Sequence, residues 1–263
     1  MRVSVANVWA APGAGRLPLD PHVWPTPAVT YSQRLALVGH MPTQVLYGEQ
    51  VVLLGERGGW MHIAVPDQPS PLDKRGYPGW VRSWQLGPAL KPRLDSVIVS
   101  AATATLGNGI DVSFGTRLPL VRRAGSTVQV ETPSGLSTLP AAAVAAAPPS
   151  LVATSQEFMG LHYLWGGLSA WGYDCSGLTW AVYRAHGITI PRDADGQAAA
   201  GTPVAMSALR PGDLIFYGVR FVHHVAMYAG GGKMIEAPNS ASRVRLVPIR
   251  TDDLVGARRF AAK

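Results

Sequence analysis

The sequence predicts an α+β chain in which two small β-barrels lead into a domain of one principal helix and antiparallel strands. Three observations carry this. Before residue 150, short apolar runs alternate with turns in a chain that holds 22 prolines and 29 glycines among 263 residues. Past Cys175, the only cysteine, Leu178, Ala181, Val182 and Ala185 recur at i, i+3, i+4 and i+7, and Gly187 follows as a stop, the pattern of an amphipathic helix. Near the C-terminus, residues 221–228 and 233–237 read as strands joined by Gly230-Gly231-Gly232. With 47% apolar residues the chain can bury several cores, and it divides into residues 1–90, 91–149 and 150–263.

Residues 1–90 hold an N-terminal arm and the first barrel. The arm, broken by Pro12 and Gly13, has no apolar core of signal-peptide length. The expectation is a cytoplasmic protein; the alternative is a secreted or wall-associated one whose leader lies outside this sequence. A lone reduced thiol without disulfides fits the cytoplasm. Barrel strands are expected in residues 44–54, in Gly58-Gly59-Trp60-Met61-His62-Ile63 and in Gly76-Tyr77-Pro78-Gly79-Trp80-Val81. Residues 91–149 read as a second, weaker copy, with strands at Leu118-Pro119-Leu120-Val121 and Thr127-Val128-Gln129-Val130 and residues 109–115 as a loop. The run from Leu139 to Pro149 is too short and too proline-bound to cross a membrane, so it ends the second module as a stiff linker.

In the third region Cys175 falls in the first turn of its helix, where free N–H groups and the positive dipole end favour a thiolate. A cysteine nucleophile needs a base. His224 sits on the first strand of the glycine-linked hairpin, and if the three glycines form the loop, Ala229 faces Lys233 and Ala226 faces Glu236. His224 is then a diagonal neighbour of Glu236, about 7–8 Å between Cα atoms and within a glutamate's reach. Glu236 becomes the residue that fixes the imidazole's tautomer. His223 points to the other face, shared with Val225 and Met227, whereas His224 has the small Ala226 beside it. Metal binding is disfavoured, because adjacent strand histidines diverge and there is neither a second cysteine nor a His-x-x-x-His spacing.

These segments, Tyr163-Leu164-Trp165-Gly166-Gly167, Asp174-Cys175-Ser176-Gly177-Leu178, Pro191-Arg192-Asp193 with Gln197, Pro211-Gly212-Asp213-Leu214-Ile215-Phe216 and His224-Val225-Ala226-Met227-Tyr228, resemble the NlpC family of papain-like cysteine peptidases in kind and in order. The resemblance covers residues from about 150 onward. It implies Cys175 as nucleophile, His224 as base and Glu236 as the third residue, a position more commonly histidine. The earlier modules resemble bacterial SH3-like barrels, whose strands end in a similar Gly-Trp-Val.

An amide carbonyl attacked by the thiolate needs donors for its oxygen, and the backbone N–H of Cys175 with the phenol of Tyr163 can supply them; plain packing beside Trp165 is the other reading of Tyr163. Asp174 caps the helix or meets a substrate ammonium, and Ser176, by resemblance, lines the same pocket. Arg192 and Asp193 read as an ion pair or turn that pins their loop.

Two SH3-like modules ahead of such a domain resemble γ-D-glutamyl-L-diamino acid endopeptidases of the dipeptidyl-peptidase VI type, which recycle muropeptides. The resemblance implies a substrate with a free N-terminal L-Ala, a first module that helps close the pocket, and Glu49 and Tyr77 as acceptors for the ammonium. The expected partner is therefore a peptidoglycan-derived peptide, L-Ala-γ-D-Glu-diamino acid, with no cofactor. The net charge of +7 raises nucleic acid as a partner, but the 23 basic residues are scattered and no aromatic-interleaved stripe occurs. Alternatives are a wall-bound hydrolase without a free-amine requirement, an acyltransferase or amidase, and an inactive muropeptide-binding protein.

Overall fold

The computed structural model describes residues 1–14, 29–91, 93–144 and 149–261. Residues 145–148 of the expected linker lie outside the described residues. The segment read as an N-terminal arm is instead a strand: β1 (Val5–Val8) runs antiparallel to β2 (Thr43–Leu46), with Val5 opposite Leu46. Between them lies the short helix α1 (Tyr31–Leu35), whose first turn is closed by a Thr30–Gln33 capping box. Strands β3 (Val52–Arg57), β4 (Trp60–Val65) and β5 (Tyr77–Arg82) form an antiparallel meander. Trp9 and Trp80 exchange two backbone hydrogen bonds of 2.8 Å, which stitches the β1–β2 ribbon to that meander. Ala6, Val8, Val45, Ile63, Val65 and Val81 fill the space between them.

The second module contains β6 (Ser96–Ile98), β7 (Thr103–Thr105), β8 (Asp111–Ser113), β9 (Arg117–Ala124), β10 (Thr127–Thr132) and β11 (Gly135–Pro140). Residues 109–115, expected as a loop, contain β8, which pairs with β7, because Val112 is needed in the module's core. The alanine-rich run continues β11 into a 3-10 turn (Ala141–Val144), with Ala143 and Val144 buried in that core. No helix among the described residues is long and apolar enough to cross a membrane.

The C-terminal region opens with α2 (Leu151–Gln156) and the small ribbon of β12 (Leu168–Ser169) and β13 (Gly172–Tyr173). The central helix α3 (Cys175–Ala185) and the short α4 (Ala194–Ala199) follow. A six-stranded antiparallel sheet completes it: β14 (Thr202–Val204), β15 (Leu214–Tyr217), β16 (His224–Gly230), β17 (Lys233–Glu236), β18 (Arg245–Pro248) and β19 (Leu254–Arg259), in the order β14-β19-β15-β16-β17-β18. Leu178, Ala181 and Val182 of α3 are buried with Val225, Met227 and Ile235 of the sheet. Each fully buried large aliphatic contributes about 1.5–3 kcal/mol, so this contact fixes the helix over β16. Gly177 must be a glycine here: a Cβ would stand 2.0 Å from the Gly167 carbonyl oxygen.

The β16–β17 turn differs from expectation in an instructive way. Strand β16 runs on to Gly230, which pairs with Lys233, and only Gly231 and Gly232 form the turn, both at positive φ (58° and 70°) as a two-residue hairpin loop demands. An irregularity between Tyr228 and Gly230 then restores the register, so Met227 faces Ile235 and the next step sets Ala226 against Glu236. The strand also begins at His224 rather than at Phe221, because Tyr217 pairs with His224 and residues 218–223 close the β15–β16 hairpin.

The first module docks on the C-terminal region through polar contacts. Gln44 Oε1 accepts from Leu168 N (3.1 Å) and Ser169 Oγ (3.0 Å), and Arg192 Nε donates to Thr43 Oγ1 (2.9 Å). Trp9, Leu37, Met41 and Trp60 pack with Leu164 beside this network.

Candidate active site

Cys175 is the first residue of α3, and Asp174 is its cap, accepting from Gly177 N at 2.6 Å. Such a cap stabilises a helix by about 0.5–2 kcal/mol. The thiol is buried against the strand, where the N–H groups of Val225 and Ser176 point at its sulfur. Contrary to the lowered pKa expected from the helix end, burial and then the Asp174 carboxylate push the thiol up to about 12, against these N–H groups and Arg192. The cysteine therefore rests as a thiol and needs a base to ionise it.

A base lines the same cavity: His224 shares it with Cys175, and Val225, whose N–H meets the sulfur, directly follows His224. His224 Nε2 lies 2.9 Å from Glu236 Oε2, as the diagonal pairing requires, which leaves Nδ1 for the thiol proton. Glu236 is 1% exposed. Burial alone would raise its carboxyl, but donors from His224, Arg250 and Arg245 outweigh that and hold it at about 2. Arg245 donates through Nε (3.0 Å) and Nη2 (2.8 Å) to Oε1, and Arg250 through Nη1 (2.9 Å) to Oε2. His223 is exposed, outside this network.

Two cavities meet at Cys175. One of ≈ 300 Å³ is lined by Tyr77, Tyr163, Asp174, Ser176 and Asp193; the other, of ≈ 740 Å³, by Tyr163, His223, His224, Arg245 and Arg250, with Tyr31, Leu35 and Val38 as an outer wall. Tyr163 belongs to both, and burial, with the neighbouring Cys175 and Asp174, raises its phenol so that it stays a donor.

Asp174 is already committed. Both its oxygens accept from Arg192, a wholly buried residue, at 3.1 and 3.0 Å, and Ser176 Oγ bonds to the same pair. The residue whose role sequence reasoning missed is Asp193. It stands at the N-terminus of α4 without capping it, bonds to the Tyr77 hydroxyl, and lines the cavity; burial raises its carboxyl against the opposing effects of Arg192 and Tyr77. Pro191-Arg192-Asp193 was the available signal, but only the arginine forms the structural ion pair.

Glu49 is a correction. It pairs with Arg184 and accepts from Leu46 N at 2.8 Å, beside a separate ≈ 390 Å³ cavity that Asp67 and Arg184 also line. Arg184 is nine residues beyond Cys175 on α3, about 13 Å along the axis, so Glu49 clamps the far end of the helix and does not face the site. Among the described residues no group of His, Cys, Asp and Glu is placed to hold a metal.

A thiol, an imidazole and an ionised carboxylate in this order form the relay that acyl transfer through cysteine requires, and they place the protein among the cysteine peptidases. Residues 160–256 match the NlpC/P60 family and residues 99–146 the YKFC SH3b2 domain. A relative from Bacillus subtilis, a gamma-D-glutamyl-L-lysine dipeptidyl-peptidase, is 36% identical over 94% of this chain and 92% of its own. One of the same name from Bacillus cereus is 34% identical over 98% and 89%. The crystal structure of an NlpC/P60 family protein from Bacillus cereus superposes with a TM-score of 0.89 at 32% identity, covering 99% of this chain and 98% of that one. The chain belongs to the NlpC/P60 family.

Proposed function

We propose that the protein hydrolyses the γ-D-glutamyl-L-diamino acid bond of peptidoglycan stem peptides that carry a free N-terminal L-alanine. The observation that carries this is the ≈ 300 Å³ cavity beside Cys175, walled by Tyr77 of the first module, by the half-buried Asp193 and by the buried Asp174. A short acyl group ending in an ammonium fits it, and a blocked amine would deny Asp193 a hydrogen-bonded cation. Its size suits a dipeptide such as L-Ala-γ-D-Glu. The relatives named above, dipeptidyl-peptidases, point the same way.

In the reaction, His224 takes the Cys175 proton as the sulfur attacks the γ-carbonyl. The backbone N–H of Cys175 and the Tyr163 hydroxyl donate to the developing oxyanion. His224 then protonates the leaving amine of the diamino acid, and water, activated by the same imidazole, releases the dipeptide from the thioester. Glu236 holds the imidazolium that forms between these steps. On this reading the protein recycles released peptides in the cytoplasm.

The test is a mass-spectrometric assay of L-Ala-γ-D-Glu-diamino acid peptides with free and with acetylated alanine. Cleavage of the free-amine forms alone at the γ-glutamyl bond is expected. Equal cleavage of blocked peptides replaces this reading with that of a wall hydrolase, and no cleavage of either overturns the proposed bond.

A further inference from the structure

The two cavities that share Cys175 differ in charge. The smaller carries three carboxylates, Asp174, Asp193 and Asp195, of which Asp174 is bonded to the buried Arg192. The larger carries Arg245 and Arg250, and no carboxylate lines it among the described residues. If the acyl group with its ammonium occupies the first, the leaving diamino acid enters the second, because the scissile carbonyl lies at the sulfur between them. This step rests on the function proposed above.

One carboxylate, Glu236, serves both arginines, so the cluster keeps one uncompensated positive charge. Their side chains remain 50% and 39% exposed. Arg245 spends Nε and Nη2 on Glu236 and keeps Nη1; Arg250 spends Nη1, and its plane is set 3.9 Å over the Tyr217 ring. Both forks are held in place while retaining free donors. Arg34, buried under the loop that carries Pro238–Ala241, adds charge from behind: its bonds go to the Ser240 carbonyl (3.1 Å) and that of Val29.

We propose that Arg245 and Arg250 make the leaving-group side select a diamino acid bearing a carboxylate at the end of its side chain, diaminopimelate over lysine. Lysine brings only an ε-ammonium to this wall. Diaminopimelate brings a carboxylate on the same carbon, an acceptor for a guanidinium fork. Neither arginine touches the reacting atoms, so both determine specificity and also position Glu236.

Three tripeptides decide it: L-Ala-γ-D-Glu followed by L-lysine, by diaminopimelate, or by diaminopimelate with its side-chain carboxyl amidated. All carry the same α-carboxylate on glutamate, which cancels in the ratios. The wild-type protein is expected to favour diaminopimelate about five- to ten-fold in kcat/KM over both others, the worth of a partly exposed charge-assisted contact. In Arg245→Gln and Arg250→Gln the common loss from disturbing Glu236 lowers all three rates, while the diaminopimelate preference falls to within about two-fold. A flat wild-type ratio, a lysine preference, or an undiminished ratio in both variants overturns the inference. The amidated substrate needs no variant, so a variant that fails to fold leaves the test intact. Cleavage of none of the three overturns the γ-glutamyl reading itself, whereas cleavage with flat ratios overturns only the selectivity.

Discussion

The two ends of α3 each hold a buried carboxylate against an arginine, and the pairs do different work. At the N-terminus Asp174 binds Arg192 while capping the helix that presents Cys175. At the C-terminus Glu49, from the first module, binds Arg184. The first pair shapes a reactive pocket and the second fastens a module to it, although both look alike as buried ion pairs. A carboxylate is thus informative only through what else it faces: Asp193, half-buried and without an arginine hydrogen bond, lines the cavity with its charge uncommitted to such a pair.

The largest effect that sharpens this contrast lies at the N-terminal end. Cys175→Ala is expected to lose at least about 10³-fold in kcat while still binding peptide by calorimetry, and His224→Ala a comparable amount, since nucleophile and base act as a unit. Next is Arg192→Ala, which strands Asp174 inside the protein and costs about 3–5 kcal/mol of stability in chemical denaturation. Asp193→Asn should raise KM for the free-amine peptide about ten-fold and shrink its advantage over the acetylated one, with little change in melting temperature. Glu49→Gln should break the comparison from the other end, lowering stability by about 1–3 kcal/mol and leaving kcat/KM within about two-fold. If its KM rose instead, the far end of α3 would be part of the site.

A further effect is a pH dependence. Glu236 is held at about 2 in the folded protein, below its value in the unfolded chain. Its contribution to stability is therefore full above the unfolded carboxyl value of about 4.3 and is lost as pH falls through about 2. The destabilisation caused by Glu236→Gln should shrink over that range when followed by urea denaturation.

What the sequence made legible is what depends on local rules. The helix behind Cys175 follows from apolar spacing and a stop glycine. The His224–Glu236 pairing follows from hairpin parity, and it survived a wrong loop because the irregularity before Gly230 offsets the shorter turn. Contacts between distant segments were not legible. β1 is too short to announce itself as a strand until β2 pairs with it, and Glu49 was placed by resemblance while its partner lies 135 residues away. Arg192 and Asp193 are adjacent, yet one turns into the interior and the other to the cavity, a division that only packing decides. Tyr77, the module's contribution to the pocket, was named from the resemblance and does line it.

The proposed chemistry puts a short acyl group on Cys175 with its free ammonium held beside it. Acid-quenching the reaction of L-Ala-γ-D-Glu-diaminopimelate in the first turnover and mapping the modified peptide by mass spectrometry tests this most directly. A thioester of L-Ala-γ-D-Glu on Cys175 is expected, absent when the alanine is acetylated. An adduct formed equally well from the acetylated peptide, or carried on any other residue, would contradict it.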